Sequence, residues 1–144
     1  MSKKLAIVLI IIAAASAALT AAADKIQWTS DLNVGLALAK SENKPVMIDF
    51  VADWCGPCKS MDKETFSNAD VIRKAQAFIP VRIDIDKQRA VAAKYNGLAR
   101  AYGGAGIPNI LFLSSKGTKI KQIIGFKTAR QILAAMDSVQ KSIK

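Results

Sequence analysis

The sequence predicts an α/β fold: a central mixed β-sheet flanked by helices on both faces. Three observations lead there. From residue 31 onward, apolar runs of strand length alternate with segments of helical spacing, the order expected of strands linked through helices. Near the C-terminus two strand patterns are separated only by the turn Ser115-Lys116-Gly117, so they form a hairpin and make the sheet mixed. The chain has 144 residues, 51% of them apolar, enough for one domain with a substantial core, and no internal repeat divides it.

Each element has a local cause. Ser30 or Asp31 can cap a helix carrying Leu32, Leu36 and Ala39 on one side, and Asn43-Lys44-Pro45 ends it. Residues 46–51 form a strand that is apolar apart from Asp49. A helix follows Cys55, carries Met61 and ends near Phe66. Asn68 caps the next, with Val71, Ile72 and Ala75 at helical spacing. Pro80 leads a strand over residues 81–85, whose alternation suits a half-buried position. A helix through Val91 and Tyr95 follows. Gly97 to Gly106 is loop-rich, and its clustered glycines fit neither dinucleotide nor Walker spacing. Residues 110–113 and 120–124 are the hairpin strands, and Gly125 breaks the second. Thr128 caps a last helix with Ile132, Met136, Val139 and Ile143 on one face.

Residues 1–23 have the composition of a signal peptide. Lys3 and Lys4 precede a continuous apolar run over residues 5–12, and alanine-rich sequence follows, with small residues at Ala21 and Ala23. Cleavage before Asp24 leaves residues 24–144 as one exported domain, expected in the periplasm. The same stretch is just long enough to stay as an uncleaved anchor, which would hold the domain at the membrane outside the cytoplasm. The alanines favour cleavage. No cysteine lies near Asp24, so a lipid-modified N-terminus is excluded.

The formal charge is +10, or +8 without Lys3 and Lys4, from 19 basic against 11 acidic residues. There is no dense basic run with interleaved aromatics, so no nucleic-acid partner is expected. The basic surface is read as solvated and able to steer acidic partners. The absence of histidine removes Cys/His zinc sites and histidine general bases. Two cysteines cannot close a four-thiolate zinc site. No metal or soluble cofactor is expected, because the cysteines themselves can carry electrons.

Those cysteines, Cys55 and Cys58, lie in Trp54-Cys55-Gly56-Pro57-Cys58-Lys59, where the 46–51 strand gives way to a helix. This spacing suits redox chemistry better than metal binding. In an oxidising compartment the pair is either a staple or a working couple. A staple over two residues constrains almost nothing, because the entropy it removes grows with loop length. The working couple is the better reading. Cys55 heads the helix, where unpaired N–H groups and the dipole favour a thiolate. Cys58, one turn further in, is placed to resolve a mixed disulfide. Gly56 and Pro57 shape the turn, and a proline at the helix start sacrifices no hydrogen bond. Asp49 is costly to bury within its apolar strand, although alternation could turn it to solvent. Pro108 reads only as a proline at a strand start, and Trp54 as a surface tryptophan.

The run Asp-Phe-x-Ala-x-Trp-Cys-Gly-Pro-Cys-Lys from Asp49 to Lys59, followed by Gly106-Ile107-Pro108, resembles the thioredoxin family over about residues 46–139. The resemblance implies the thioredoxin fold with one N-terminal helix, and protein dithiol–disulfide oxidoreductase activity. It makes Asp49 the buried acid behind the cysteines, which moves the proton of Cys58 and has a raised pKa. Arg82 takes the place of a basic residue that helps set that acid. Pro108 is implied to be cis and to face the disulfide, leaving the backbone at Ile107 free to pair with a substrate peptide. Gly125 is implied to flank the substrate groove, and Trp54 to cover the disulfide. The implied catalytic set is Cys55, Cys58 and Asp49. The implied substrate-binding set is Trp54, Gly56, Pro57, Ile107, Pro108 and Gly125.

Two departures from ordinary thioredoxin matter. The segment between Asp86 and Pro108 is longer, with the excess in Asn96 to Ala105. Lys44-Pro45-Val46 and Met61-Asp62-Lys63-Glu64-Thr65-Phe66-Ser67 resemble the C-terminal domain of DsbD and related exported proteins, which pass electrons to periplasmic targets. The expectation is a monomeric exported reductant of protein disulfides, fed by a membrane thiol donor of DsbD type. A disulfide oxidant or isomerase on the same fold is the alternative. The chain lacks the histidine and inserted helical domain of DsbA-like oxidants and the dimerisation domain of isomerases. A non-catalytic thioredoxin-like binding module is the third reading, opposed by the intact set of Cys55, Cys58, Asp49 and Pro108.

Overall fold

A computed structural model describes residues 24–96 and 106–143. The expected signal segment and the extra residues of the 96–105 loop lie outside the described residues, apart from the backbone of Asn96.

Strand β1 (Val46–Val51) is the spine of the sheet. It pairs in parallel with β2 (Ile79–Asp84) and antiparallel with β3 (Asn109–Leu113). β3 pairs antiparallel with β4 (Lys119–Ile124), which gives the order β2-β1-β3-β4. The helices are α1 (Leu32–Glu42), α2 (Gly56–Glu64), α3 (Ala69–Ala75), α4 (Arg89–Asn96) and α5 (Ala129–Ser142). This is the expected mixed sheet with its terminal hairpin.

The period of two in each strand divides the core into two layers. Val46, Ile48 and Phe50 of β1 and Ile79, Val81 and Ile83 of β2 face one side, against Leu32, Leu36 and Ala39 of α1 and Val91 and Tyr95 of α4. Met47, Ile110 and Phe112 face the other, against Met61 of α2, Val71, Ile72 and Ala75 of α3, and Ile132, Met136 and Val139 of α5. The close fit of α1 depends on Gly35, because a Cβ there would stand 2.4 Å from Val81 Cγ2. A central strand is covered on both faces, so Asp49 cannot turn to solvent whichever way alternation points it.

The helix starts follow the expected caps. Asp31 Oδ1 accepts from the N–H groups of Asn33 (2.8 Å) and Val34 (3.2 Å). Asn68 Oδ1 accepts from Asp70 (3.0 Å) and Val71 (3.3 Å). Thr128 and Gln131 form a reciprocal capping box. Asn43 ends α1 in the left-handed region at φ 51°.

Three details differ from the sequence reading. β2 begins at Ile79, two residues before the expected start, because the Ile79 N–H reaches the Pro45 carbonyl at 2.8 Å and an edge strand tolerates Pro80. Thr29 bridges in parallel to Val81, with its N–H on Pro80 and its carbonyl accepting from Arg82, so the N-terminal segment extends the sheet. Ile143 does not continue the buried stripe of α5. The helix ends at Ser142, and Ile143 takes up φ −107° and ψ 0°, loses the helical spacing and is 44% exposed.

Candidate active site

β1 ends at Val51, and the chain turns through Ala52 to enter α2, with the Cys55 N–H on the Ala52 carbonyl at 3.0 Å. Cys55 is the N-cap of α2. Its Sγ accepts from the backbone N–H of Cys58 at 3.2 Å. Pro57 sits within the first turn, where its missing N–H costs nothing. Cys55 and Cys58 are joined as a disulfide with their Cα atoms 5.3 Å apart. The sulfur that caps the helix is thus placed where a negative charge would be stabilised by a directed N–H and the helix dipole. Exposure does not separate the two cysteines, since both are buried, at 3% and 5%. What separates them is position on the helix.

The pair packs against Ala52, and Val51, Ile85 and Ile107 cover its flank. The Ile107–Pro108 peptide bond is cis. The Pro108 carbonyl accepts from the Gly125 N–H at 2.8 Å, which ties the start of β3 to the end of β4, where Gly125 turns with φ 83°. A Cβ on Gly56 would meet nothing within 4 Å, so the backbone beside Cys55 stands open. Trp54 is 59% exposed, with its indole N–H on Asp86 Oδ2 at 2.8 Å. Two cavities, of about 440 and 110 Å³, are lined by residues from Asn43 to Ile143 and from Lys25 to Pro80, and neither includes a cysteine.

Asp49 lies on β1 directly opposite Arg82 of β2 and is 2% exposed. Arg82 donates to Asp49 Oδ2 from Nε at 3.0 Å and Nη2 at 2.8 Å. The same Nη2 reaches Asp62 Oδ1 at 2.6 Å. The guanidinium lies 4.4 Å from the centre of the Trp28 ring and 5.7 Å from that of Phe66, which themselves meet edge to face. Burial pushes the Asp49 carboxyl up to about 6; Arg82 opposes this and the charge of Asp62 reinforces it. Sequence reasoning paired Arg82 with Asp49 but missed Asp62. The signal was available, because Asp62 follows Cys58 by four residues and so shares its helix face. Thr65 was also missed. It is fully buried and donates Oγ1 to the Lys127 carbonyl at 2.6 Å, a contact across 62 residues that no local pattern marks.

The family model described as a thioredoxin-like domain matches residues 32–140. The thiol:disulfide interchange protein DsbD of Vibrio vulnificus (strain CMCP6) is 34% identical over 111 residues, covering 76% of this chain and 18% of the relative. The DsbD of Yersinia pestis (strain Pestoides F) is 37% identical over 98 residues, covering 67% of this chain and 16% of the relative. The chain thus spans under a fifth of the length of these curated relatives. Among solved structures, the oxidised C-terminal domain of DsbD from Neisseria meningitidis is 27% identical, with a TM-score of 0.57 over 77% of this chain and 97% of that one. A thioredoxin from Thermus thermophilus shares the fold, with a TM-score of 0.64 at 24% identity over 81% of this chain and 88% of that one. The chain belongs to the thioredoxin-like family, and its two cysteines, Cys55 and Cys58, are joined as a disulfide at the head of α2.

Proposed function

We propose that the protein is an exported reductant of protein disulfides, working through Cys55 and Cys58. The observation that carries this reading is the Cys58 N–H directed at Cys55 Sγ from the first turn of α2, with a buried acid on the neighbouring strand. In the reduced protein the Cys55 thiolate attacks one sulfur of a substrate disulfide and forms a mixed disulfide, releasing the other sulfur as a thiolate that takes up a proton. Cys58 then gives its proton to Asp49 and attacks Cys55 Sγ. The Cys55–Cys58 disulfide forms, the second substrate sulfur leaves, and two electrons have passed to the substrate. A carboxyl titrating near 6 can accept that proton and return it.

The substrate peptide lies across Gly56, Pro57, Ile107, Pro108 and Gly125, with Trp54 at the rim. The open space beside Gly56 supports that placement. The domain acts as a monomer in the periplasm, and a membrane thiol donor of DsbD type returns it to the dithiol. Similarity to the DsbD proteins and the leader-like composition of residues 1–23 support this setting. No helix of the described residues is long and apolar enough to cross a membrane. The test is single-turnover mixing of reduced protein with insulin under anaerobic conditions. One insulin disulfide should be lost per Cys55–Cys58 disulfide formed, and Cys55→Ser should abolish the exchange. Oxidation of insulin thiols by the disulfide form, without the reverse reaction, would overturn the proposed direction.

A further inference from the structure

Trp28 is a half-buried aromatic of the N-terminal segment to which the thiol chemistry above gives no part. Its segment is fixed against the outer edge of β2. The Thr29 N–H donates to the Pro80 carbonyl at 3.1 Å, and the Thr29 carbonyl accepts from the Arg82 N–H at 2.8 Å. Ile26, buried in the same core layer, anchors the segment two residues earlier. These ties bring Trp28 beside the residue that pairs with Asp49. The Arg82 guanidinium carbon lies 4.4 Å from the centre of the Trp28 ring, and Phe66 meets that ring edge to face at 5.2 Å.

Arg82 has a choice of partners. The same Nη2 donates to Asp49, which is buried, and to Asp62, which stands at the surface. Asp62 and water draw the guanidinium outward. An aromatic face attracts a cation, and the planar guanidinium stacks on it, so the ring limits that swing. The charged groups acting on Asp49 are Arg82 from β2 and Asp62 from α2, with the Cys58 thiol of α2 added once the disulfide is reduced. Trp28 carries no charge, so its effect on Asp49 passes through Arg82. We propose that Trp28 is a positioning residue: its ring holds the Arg82 guanidinium on Asp49 and so keeps the carboxylate ready to take the Cys58 proton. This rests on the reading of Asp49 as the proton acceptor in disulfide reduction.

Two roles for the ring differ in sign. If it positions Arg82, its loss weakens the grip on the carboxylate and Asp49 holds its proton more tightly. If it only excludes water, its loss hydrates the carboxylate and Asp49 holds its proton less tightly. The test follows the Asp49 carboxyl by NMR in the purified, oxidised full chain, where the cysteines do not titrate. Trp28→Leu, which stays apolar but loses the ring face, should raise the midpoint by about 0.5 to 1 pH unit. Trp28→Phe, with a weaker face, should raise it by less. Added to Arg82→Met, Trp28→Leu should cause no further change, because its effect needs the guanidinium. The pH profile of kcat/KM for insulin reduction should move upward with the midpoint in Trp28→Leu. The proposal fails if the midpoint falls or stays in place, if it rises equally in the Arg82→Met background, or if the insulin profile does not follow it. Should Trp28→Leu not fold, the sign of the change in Trp28→Phe decides. A wild type that does not reduce insulin overturns the reductant reading, while the carboxyl titration still decides whether Trp28 acts through Arg82.

Discussion

Asp49 and Arg82 are register partners across the β1–β2 ladder, and the guanidinium donates twice to the same carboxylate oxygen, from Nε at 3.0 Å and from Nη2 at 2.8 Å. The pairing does not cancel the cost of burial. Asp49 still titrates at about 6, since desolvation outweighs the favourable charge and hydrogen bonds of Arg82. A buried carboxylate fully compensated by its partner would stay ionised throughout the working range. This one is poised to change its proton, which is what a group serving a buried thiol must do.

That poise has a consequence for stability. The folded-state pKa of Asp49 is about 6 against an ordinary value of 3.8. Between those values the folded protein binds more protons than the unfolded chain, so stability falls as pH rises through this window, by roughly 3 kcal/mol in all. Asp49→Asn removes the effect. In the oxidised protein its thermal midpoint should exceed that of the wild type by several degrees at pH 8, and the gain should vanish near pH 4. A gain of equal size at both pH values would contradict a buried, ionised carboxylate as its source.

Arg82 and Asp62 should move Asp49 in opposite directions. Arg82 lowers its pKa and Asp62 raises it. Arg82→Met keeps much of the apolar stem over Trp28 and Phe66 but removes the charge, so the Asp49 titration should move above 6. Asp62→Asn should move it below. The carboxyl titration followed by NMR, and the pH dependence of kcat/KM for insulin reduction, should shift with the same signs. Shifts of one sign for both variants would contradict the arrangement in which Arg82 stands between two acids.

Cys58→Ser should trap substrate on Cys55 as a stable mixed disulfide, because attack survives and resolution does not. Non-reducing gels and peptide mass mapping would find the adduct on Cys55, and the captured protein would identify the physiological partner. Trapping in Cys55→Ser protein instead would reverse the assigned roles. Burial cannot make this assignment, since both cysteines are nearly inaccessible in the disulfide.

Gly35→Ala should destabilise the protein by about 1–3 kcal/mol, the usual cost of forcing extra volume into a packed interface. The new methyl would fall 2.4 Å from Val81 Cγ2, and α1 would have to lift from β2. Urea unfolding measures the loss. An unchanged midpoint would mean that α1 accommodates the methyl freely, against the close packing seen here.

The sheet was legible because its determinants are local. Val46 to Val51 has strand composition, Asp31, Asn68 and Thr128 cap as their side chains allow, and the Ser115–Gly117 turn leaves no choice but a hairpin. The cysteine pair was legible for the same reason. What stayed hidden depends on contacts between distant segments. Thr29 meets Val81 only after β2 has found β1. Thr65 and Lys127 are brought together by the packing of the two layers, and their spacing in sequence carries no signal. Asp49 lay between these cases. Its residue type was suspicious in an apolar strand, but only the central position of β1 decides that it is buried. Ile143 shows the opposite error: a helical pattern in sequence outlasts the helix by one residue.

The direction of electron flow is decided by the reduction potential of the Cys55–Cys58 pair in the purified protein. Equilibration in defined dithiol buffers, read by tryptophan fluorescence or thiol alkylation, would give the value. A reductant of protein disulfides should lie near about −270 mV, where thioredoxin stands. A value near about −120 mV, at the DsbA end of the scale, would make the disulfide form an oxidant and contradict the account.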